Sequence, residues 1–265
     1  MTGASNIAWP AEADTEAFAV LRANGVGCIE VAPSRVWPQW QNIAPQSCRK
    51  HLADAGFSIS SLQAILFQKP DLRLFGSDSD RSELLDHLSM CGDLAANLGA
   101  SVAVFGAPKN RDRGALADDE AFRVAAEFFA RAGAEYASRG VVIGFEANPT
   151  NYGCNFATTA REAARLVRAV ASPGFLLHLD TACMYLAGED AAELIRENSD
   201  ILCHFHASEP NLGTFQAPVA AHKAAADALR QTGYRGSVVL EMRPSDPPLP
   251  PLAEATAFLR ETYGA

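Results

Sequence analysis

Glu146, Asp180, His206 and Glu241 are the residues of this sequence best placed to do chemistry, because each closes a short apolar run: VVIGFE, FLLHLD, ILCHFH and SVVLE. Such runs read as buried parallel strands, and the carboxyl ends of strands in a parallel barrel surround the active site. One acidic residue at a strand end is unremarkable, but four metal-competent residues closing four successive strands form a pattern. Three carboxylates and one imidazole make a mostly hard oxygen site. That set suits one divalent ion, Mn first and Mg or Co next, better than a thiolate-rich zinc site. Without a cation the carboxylates would repel one another. The alternative is that all four are solvated at a rim.

Side chains alternate faces along a strand, so residues two apart share a face. Gly144 and Val142 go with Glu146, His178 and Leu176 with Asp180, His204 and Leu202 with His206, and Val239 and Ser237 with Glu241. The opposite faces are apolar throughout (Val141, Ile143, Phe145; Phe175, Leu177, Leu179; Ile201, Cys203, Phe205; Val238, Leu240) and should meet helices. By this parity His178 and His204 lie one layer below the ligands, where they would hydrogen-bond ligand carboxylates or inner-face groups and fix their orientation. An ordinary buried histidine with satisfied nitrogens is the alternative for either.

The elements that must position these residues follow from the alternation of apolar runs with segments of helical period. Strands are expected at 5–9, 25–31, 57–65, 101–106, 141–146, 175–180, 201–206 and 237–241. Helices are expected near 12–23, 45–55, 79–98, 118–138, 158–171, 189–198, 219–232 and 251–263. Eight of each imply an α/β protein with one domain over residues 1–265, a single (β/α)8 TIM barrel. An open doubly wound sheet is the competitor, but the chain lacks a GxGxxG after its first strand. The run PSDPPLPP at 244–251 falls between the last strand and last helix and reads as a loop at the mouth.

Composition narrows the partners. The 265 residues are 48% hydrophobic and 20% charged, with a net charge of -9. One tight basic cluster, Lys109, Arg111 and Arg113, is no footprint for nucleic acid. With neither a basic-then-apolar leader nor a run of about 20 apolar residues, the chain reads as cytoplasmic and not membrane-bound. Six scattered cysteines, Cys28, Cys48, Cys91, Cys154, Cys183 and Cys203, form no CxxC pair and read as reduced thiols.

At VVIGFE, HLDT, HFHASE and VVLE, with ligand spacings of 34, 26 and 35 residues, the chain resembles the xylose-isomerase-like barrels, and among them the ketose 3-epimerases of the tagatose and psicose type. SLQAILF at 61–67 and VFGAPKNR at 104–111 resemble that family's third and fourth strands, so the likeness spans nearly the whole chain. The resemblance implies that Glu146 and Glu241 both hold the ion and move a proton. The ion would polarise a carbonyl and its neighbouring hydroxyl, and a carboxylate would remove the adjacent C–H proton to give a cis-enediolate. Returning that proton to the opposite face epimerises; delivering it to the next carbon isomerises. Members of the group are often dimeric or tetrameric, which leaves a homo-oligomer open.

The departures bear on the substrate. Where the ketose epimerases have a substrate-binding histidine three residues after the metal aspartate, this chain has Cys183. Where they have an arginine six after the metal histidine it has Leu212, and where they have a second glutamate six after the first it has Tyr152; Glu209 does match. Cys183 and Tyr152 are therefore either pocket residues or packing and lid residues. Lys109 and Arg111 would reach the mouth to pair with an anionic oxygen, unless they sit in a solvated loop. Trp37 and Trp40 would wall the substrate or pack their own loop. Glu30 and Gln63 line the inner wall but are indistinguishable from structural polar residues.

The expected function is a metal-dependent isomerase or epimerase of a small carbohydrate or keto-sugar. A lyase with the same site, an inosose dehydratase or an enzyme that eliminates from a 3-keto-glycoside, is the nearest rival, separable by loss of water or aglycone on turnover. An apurinic-site endonuclease-like phosphodiesterase would need more histidines than six and a groove that tracks phosphates. A binding barrel without catalysis would melt unchanged with EDTA or Mn.

Overall fold

Apolar runs that are buried on both faces can pair only in parallel, with helices covering the outside. The computed structural model, which describes residues 1–264, has that arrangement. Strands β1 (Thr2–Ser5), β2 (Cys28–Val31), β3 (Ser58–Leu62), β4 (Val102–Phe105), β5 (Val142–Glu146), β6 (Phe175–Asp180), β7 (Leu202–Ser208) and β8 (Val238–Glu241) form a closed parallel barrel in chain order. β1 pairs with both β2 and β8. The expected (β/α)8 barrel is therefore the fold. No helix among the described residues is long and apolar enough to cross a membrane.

The helices are α1 (Asp14–Ala23), α2 (Pro33–Val36), α3 (Pro45–Asp54), α4 (Asp78–Leu98), α5 (Asp118–Ser138), α6 (Ala160–Val170), α7 (Thr181–Leu186), α8 (Ala191–Glu197), α9 (His222–Gln231) and α10 (Leu249–Tyr263). The two longest, α4 and α5, lie where helical period and capping place them. Ser77 and Asp80 cap each other's backbone at the start of α4, and Gly99 ends it at φ 78°, a left-handed conformation that glycine adopts without strain. The outward strand face meets these helices as expected. Phe129 of α5 stacks on Phe175 of β6 at 4.5 Å and meets Phe145 of β5 edge-on at 5.2 Å. Each such ring contributes about 1.5 to 3 kcal/mol by leaving water.

Several boundaries differ from expectation, among them β2, which starts at Cys28 rather than 25, and β3, which ends at Leu62 rather than 65. The first strand is 2–5 rather than 5–9, because Ser5 caps a 3-10 turn over Asn6–Ala8 and Asn6 Oδ1 accepts from the Ala32 N–H across the barrel end. These side-chain bonds divert the chain just where its apolar residues suggest a strand. β7 runs on to Ser208, so His206 is not its last residue. Two short helices, α2 and α7, occupy loops expected to be irregular.

Candidate metal centre

The four expected ligands converge at the carboxyl ends of β5 to β8. Oxygens of Glu146 and Asp180 and a ring nitrogen of His206 all lie within 4.8 Å of one another. Glu241 joins them with Oε2 3.4 Å from His206 Nδ1, and Asp180 Oδ2 lies 4.0 Å from the same nitrogen. Strand stagger makes this possible, since Asp180 is level with His206 while Glu146 is level with His178 and Glu241 with Ser208.

Two of the three carboxylates, Asp180 and Glu146, are held from outside the cluster. Asp180 ends β6 and also caps α7: Oδ1 accepts from the Cys183 N–H at 2.7 Å, and Oδ2 accepts from Ser208 Oγ at 2.5 Å. Glu146 Oε2 accepts from Asn148 Nδ2 at 3.0 Å. Room for that carboxylate depends on Gly106, where a Cβ would collide with Oε2. Arg111, completely buried, donates to the Glu146 carbonyl oxygen at 2.7 Å and to Asn148 Oδ1 at 2.9 Å. Arg111 thus braces β5 from behind and does not extend from the mouth, as the sequence suggested it could.

This donor set fits a divalent cation. Burial first, and then the carboxylates of Glu146 and Glu241, push the Asp180 carboxyl up to about 7. Burial likewise raises Glu146. Burial would lower the His206 imidazole, but Glu30 and Glu241 outweigh it and hold it well above the ordinary range. Carboxyls whose proton affinity is raised, beside an imidazole whose charged form is favoured, are what such a cluster shows when positive charge is in short supply. His206 Nδ1 is moreover buried with no hydrogen-bond partner.

Beside the candidate ligands the structure gives a role to a residue that the sequence placed on the inner wall without one. Glu30 of β2 is completely buried and accepts from His204 Nε2 at 2.9 Å, His206 Nε2 at 3.1 Å and Ser61 Oγ at 2.7 Å. An isolated Glu inside CIEV carries no such signal; only the closed barrel brings it to histidines 174 and 176 residues away. His204 contacts this glutamate rather than a ligand carboxylate. His178 does approach a ligand, with Nε2 3.4 Å from Glu146 Oε1, because stagger sets it beside Glu146 instead of a layer beneath.

A cavity of about 590 Å³ opens above the site, lined by Glu146, His206 and Glu241 at its base and by Ile65, Phe67 and Lys109 on its walls. The other expected substrate contacts are dispersed. Cys183 is buried in the first turn of α7, and burial followed by the charge of Asp180 pushes its thiol well up. Tyr152 is half-buried, and its hydroxyl accepts from the Asn211 N–H, joining the loops after β5 and β7. Glu209 accepts from His222 Nε2 at 2.7 Å and from the Val219 and Ala220 N–H groups, and His222 Nδ1 lies 2.8 Å from Tyr263 Oη. Trp37 lines a separate cavity with Trp9 and Phe18.

Comparison with known proteins agrees with this architecture. Residues 18–262 match the family described as xylose isomerase-like TIM barrel. No curated protein sequence matches the chain. Among solved structures, D-psicose 3-epimerase of Clostridium cellulolyticum H10, solved with D-tagatose, is similar with a TM-score of 0.84 at 15% identity, covering 100% of this chain and 99% of that one. D-allulose 3-epimerase of a Methylomonas species gives 0.78 at 20% identity, covering 99% and 96%. A 3-keto-D-glucoside 4-epimerase of E. coli gives 0.79 at 17%, covering 98% of each chain. At these identities the likeness is one of fold.

Proposed function

Because the chain belongs to the xylose isomerase-like TIM barrel family, we propose that it is a divalent-metal-dependent isomerase or epimerase of a sugar or sugar derivative. The observation that carries this reading is the convergence of Glu146, Asp180, His206 and Glu241 at the base of an open cavity. Asp180 and His206 would hold the ion, with Glu146 and Glu241 completing the set. Mn is the first choice for this oxygen-rich set, with Mg or Co next. A bound divalent ion polarises a carbonyl and acidifies the C–H beside it.

The protein's own residues then supply the proton transfer. Glu146 and Glu241 come from strands three apart around the barrel and so approach a bound substrate from different sides. One carboxylate takes the C–H proton, leaving a cis-enediolate in the substrate. The other returns a proton, either to the opposite face or to the neighbouring carbon. Asn148 orients the Glu146 carboxylate, and the buried position of that carboxyl raises its affinity for a proton. Lys109, which lines the cavity wall, would meet an anionic oxygen of the substrate.

The experiment is a screen of free ketoses, keto-glycosides and inososes for Mn-dependent incorporation of deuterium from heavy water. Incorporation that requires Mn supports the reading, and its absence across all three classes overturns it. A lyase acting on a glycosidic keto-sugar is the second reading, because the same enolate formed beside the ion could expel a leaving group. Release of water or aglycone during turnover would identify it.

A further inference from the structure

Glu30 is the one carboxylate on the inner face of the barrel that neither holds the cation nor moves a proton in the reading above, on which the present inference rests. A carboxylate this deeply buried is costly unless it is paired and hydrogen-bonded. Here Oε2 accepts from Ser61, His204 and His206, and Oε1 lies 2.9 Å from His206 Nε2. The His206 ring is therefore gripped at Nε2. In the neutral ring that a cation would require, a hydrogen held on that nitrogen leaves Nδ1 free to ligate; Nδ1 is buried without a partner and faces Asp180 Oδ2 at 4.0 Å and Glu241 Oε2 at 3.4 Å. His178 packs edge-on against the same ring, centroid to centroid 4.3 Å at 76°, which limits its rotation.

We propose that Glu30 is a positioning residue for the metal centre: it fixes the tautomer and tilt of His206 so that Nδ1 points at the cation, and His204 is the strut that fixes Glu30 in turn. Imidazole ligands in metal sites commonly donate their second nitrogen to a carboxylate, and loss of that partner typically weakens metal binding 10- to 100-fold. Glu30 sits on β2 while His204 and His206 sit on β7, so the contact crosses the interior of the barrel and ties the ligand to the strands opposite.

The test is Mn²⁺ binding to the full chain by calorimetry, with melting temperatures measured with and without Mn²⁺, for the wild type, Glu30→Gln, Glu30→Asp, His204→Gln and Asp180→Ala. Glu30→Gln keeps the shape and removes the charge. It should weaken Mn²⁺ binding about 10- to 100-fold and shrink the Mn²⁺-induced rise in melting temperature. Glu30→Asp, which keeps the charge on a shorter stem, should recover part of the affinity. A purely structural role would lower both melting temperatures together and leave the affinity at the wild-type value, which would overturn the proposal. Two ions per chain would make the trio His178, His204 and His206 a ligand set, and that outcome also overturns it. If Glu30→Gln does not fold, wild-type affinity in both Glu30→Asp and His204→Gln has the same force. Failure of the wild type itself to bind Mn²⁺ would instead sink the metal-centre reading.

Discussion

At the scale of single residues the proposed site divides into groups that would hold the ion and groups that would also move protons. Asp180→Ala should abolish Mn retention, measured by metal analysis after gel filtration. Glu241→Gln should retain part of the metal yet slow solvent deuterium exchange into substrate by at least about 100-fold; exchange at the wild-type rate would end the two-glutamate mechanism. The pH response has a definite sign. Asp180 is raised from 3.8 to about 7 in the fold, so it binds its proton more tightly folded than unfolded. Its contribution to the metal-free protein is therefore present at low pH and lost as pH rises through about 7. The raised His206 acts in the same direction. Protons and the cation compete for these groups, so Mn affinity should fall as pH drops below about 7, read by titration at stepped pH. The convergence of the four candidate ligands was legible in the sequence because residue type and strand-end position coincide. Glu30 was not, because a lone acid in an apolar strand acquires meaning only from partners that closure delivers.

At the scale of elements, strand type and helix period were readable because burial on both faces writes continuous apolar runs, and long helices write caps and a clear period. What was unreadable was decided by side-chain to backbone bonds. Asn6 and Ser5 end β1 early, and Asp180, in capping α7, turns a strand end into a helix start. Parity along one strand gave the correct face for His178 but the wrong depth, because depth depends on the stagger between strands. The loop after β4 supplies the sharpest test at this scale. Gly106→Ala would place a methyl group against the Glu146 carboxylate. We expect Mn binding to weaken at least about 10-fold, as when a ligand loses its proper support, while the circular dichroism spectrum stays unchanged. Unaltered binding would mean that Glu146 has slack the geometry does not suggest.

For the whole molecule, a cation bound by the proposed four residues of a closed barrel would join β5 to β8 at one point. Mn at about 100 times its dissociation constant should stabilise the fold by about 2.7 kcal/mol, a rise of about 5 to 10 °C in melting temperature for a chain of this size, reversed by EDTA. A melting curve indifferent to both would leave a barrel without a resident ion. The rim around that centre is not uniform. On one side Glu209, His222 and Tyr263 lock the loop after β7 to the end of α10. On the other, the wall from Ile65 to Pro70 is largely apolar and exposes Phe67. Genetic drift meets these two sides differently. A change at Glu209 strands a buried histidine, whereas a change at Phe67 alters only the shape offered to a guest. A lineage descended from this barrel could exchange one substrate for another by rewriting the wall after β3 while inheriting the locked side intact.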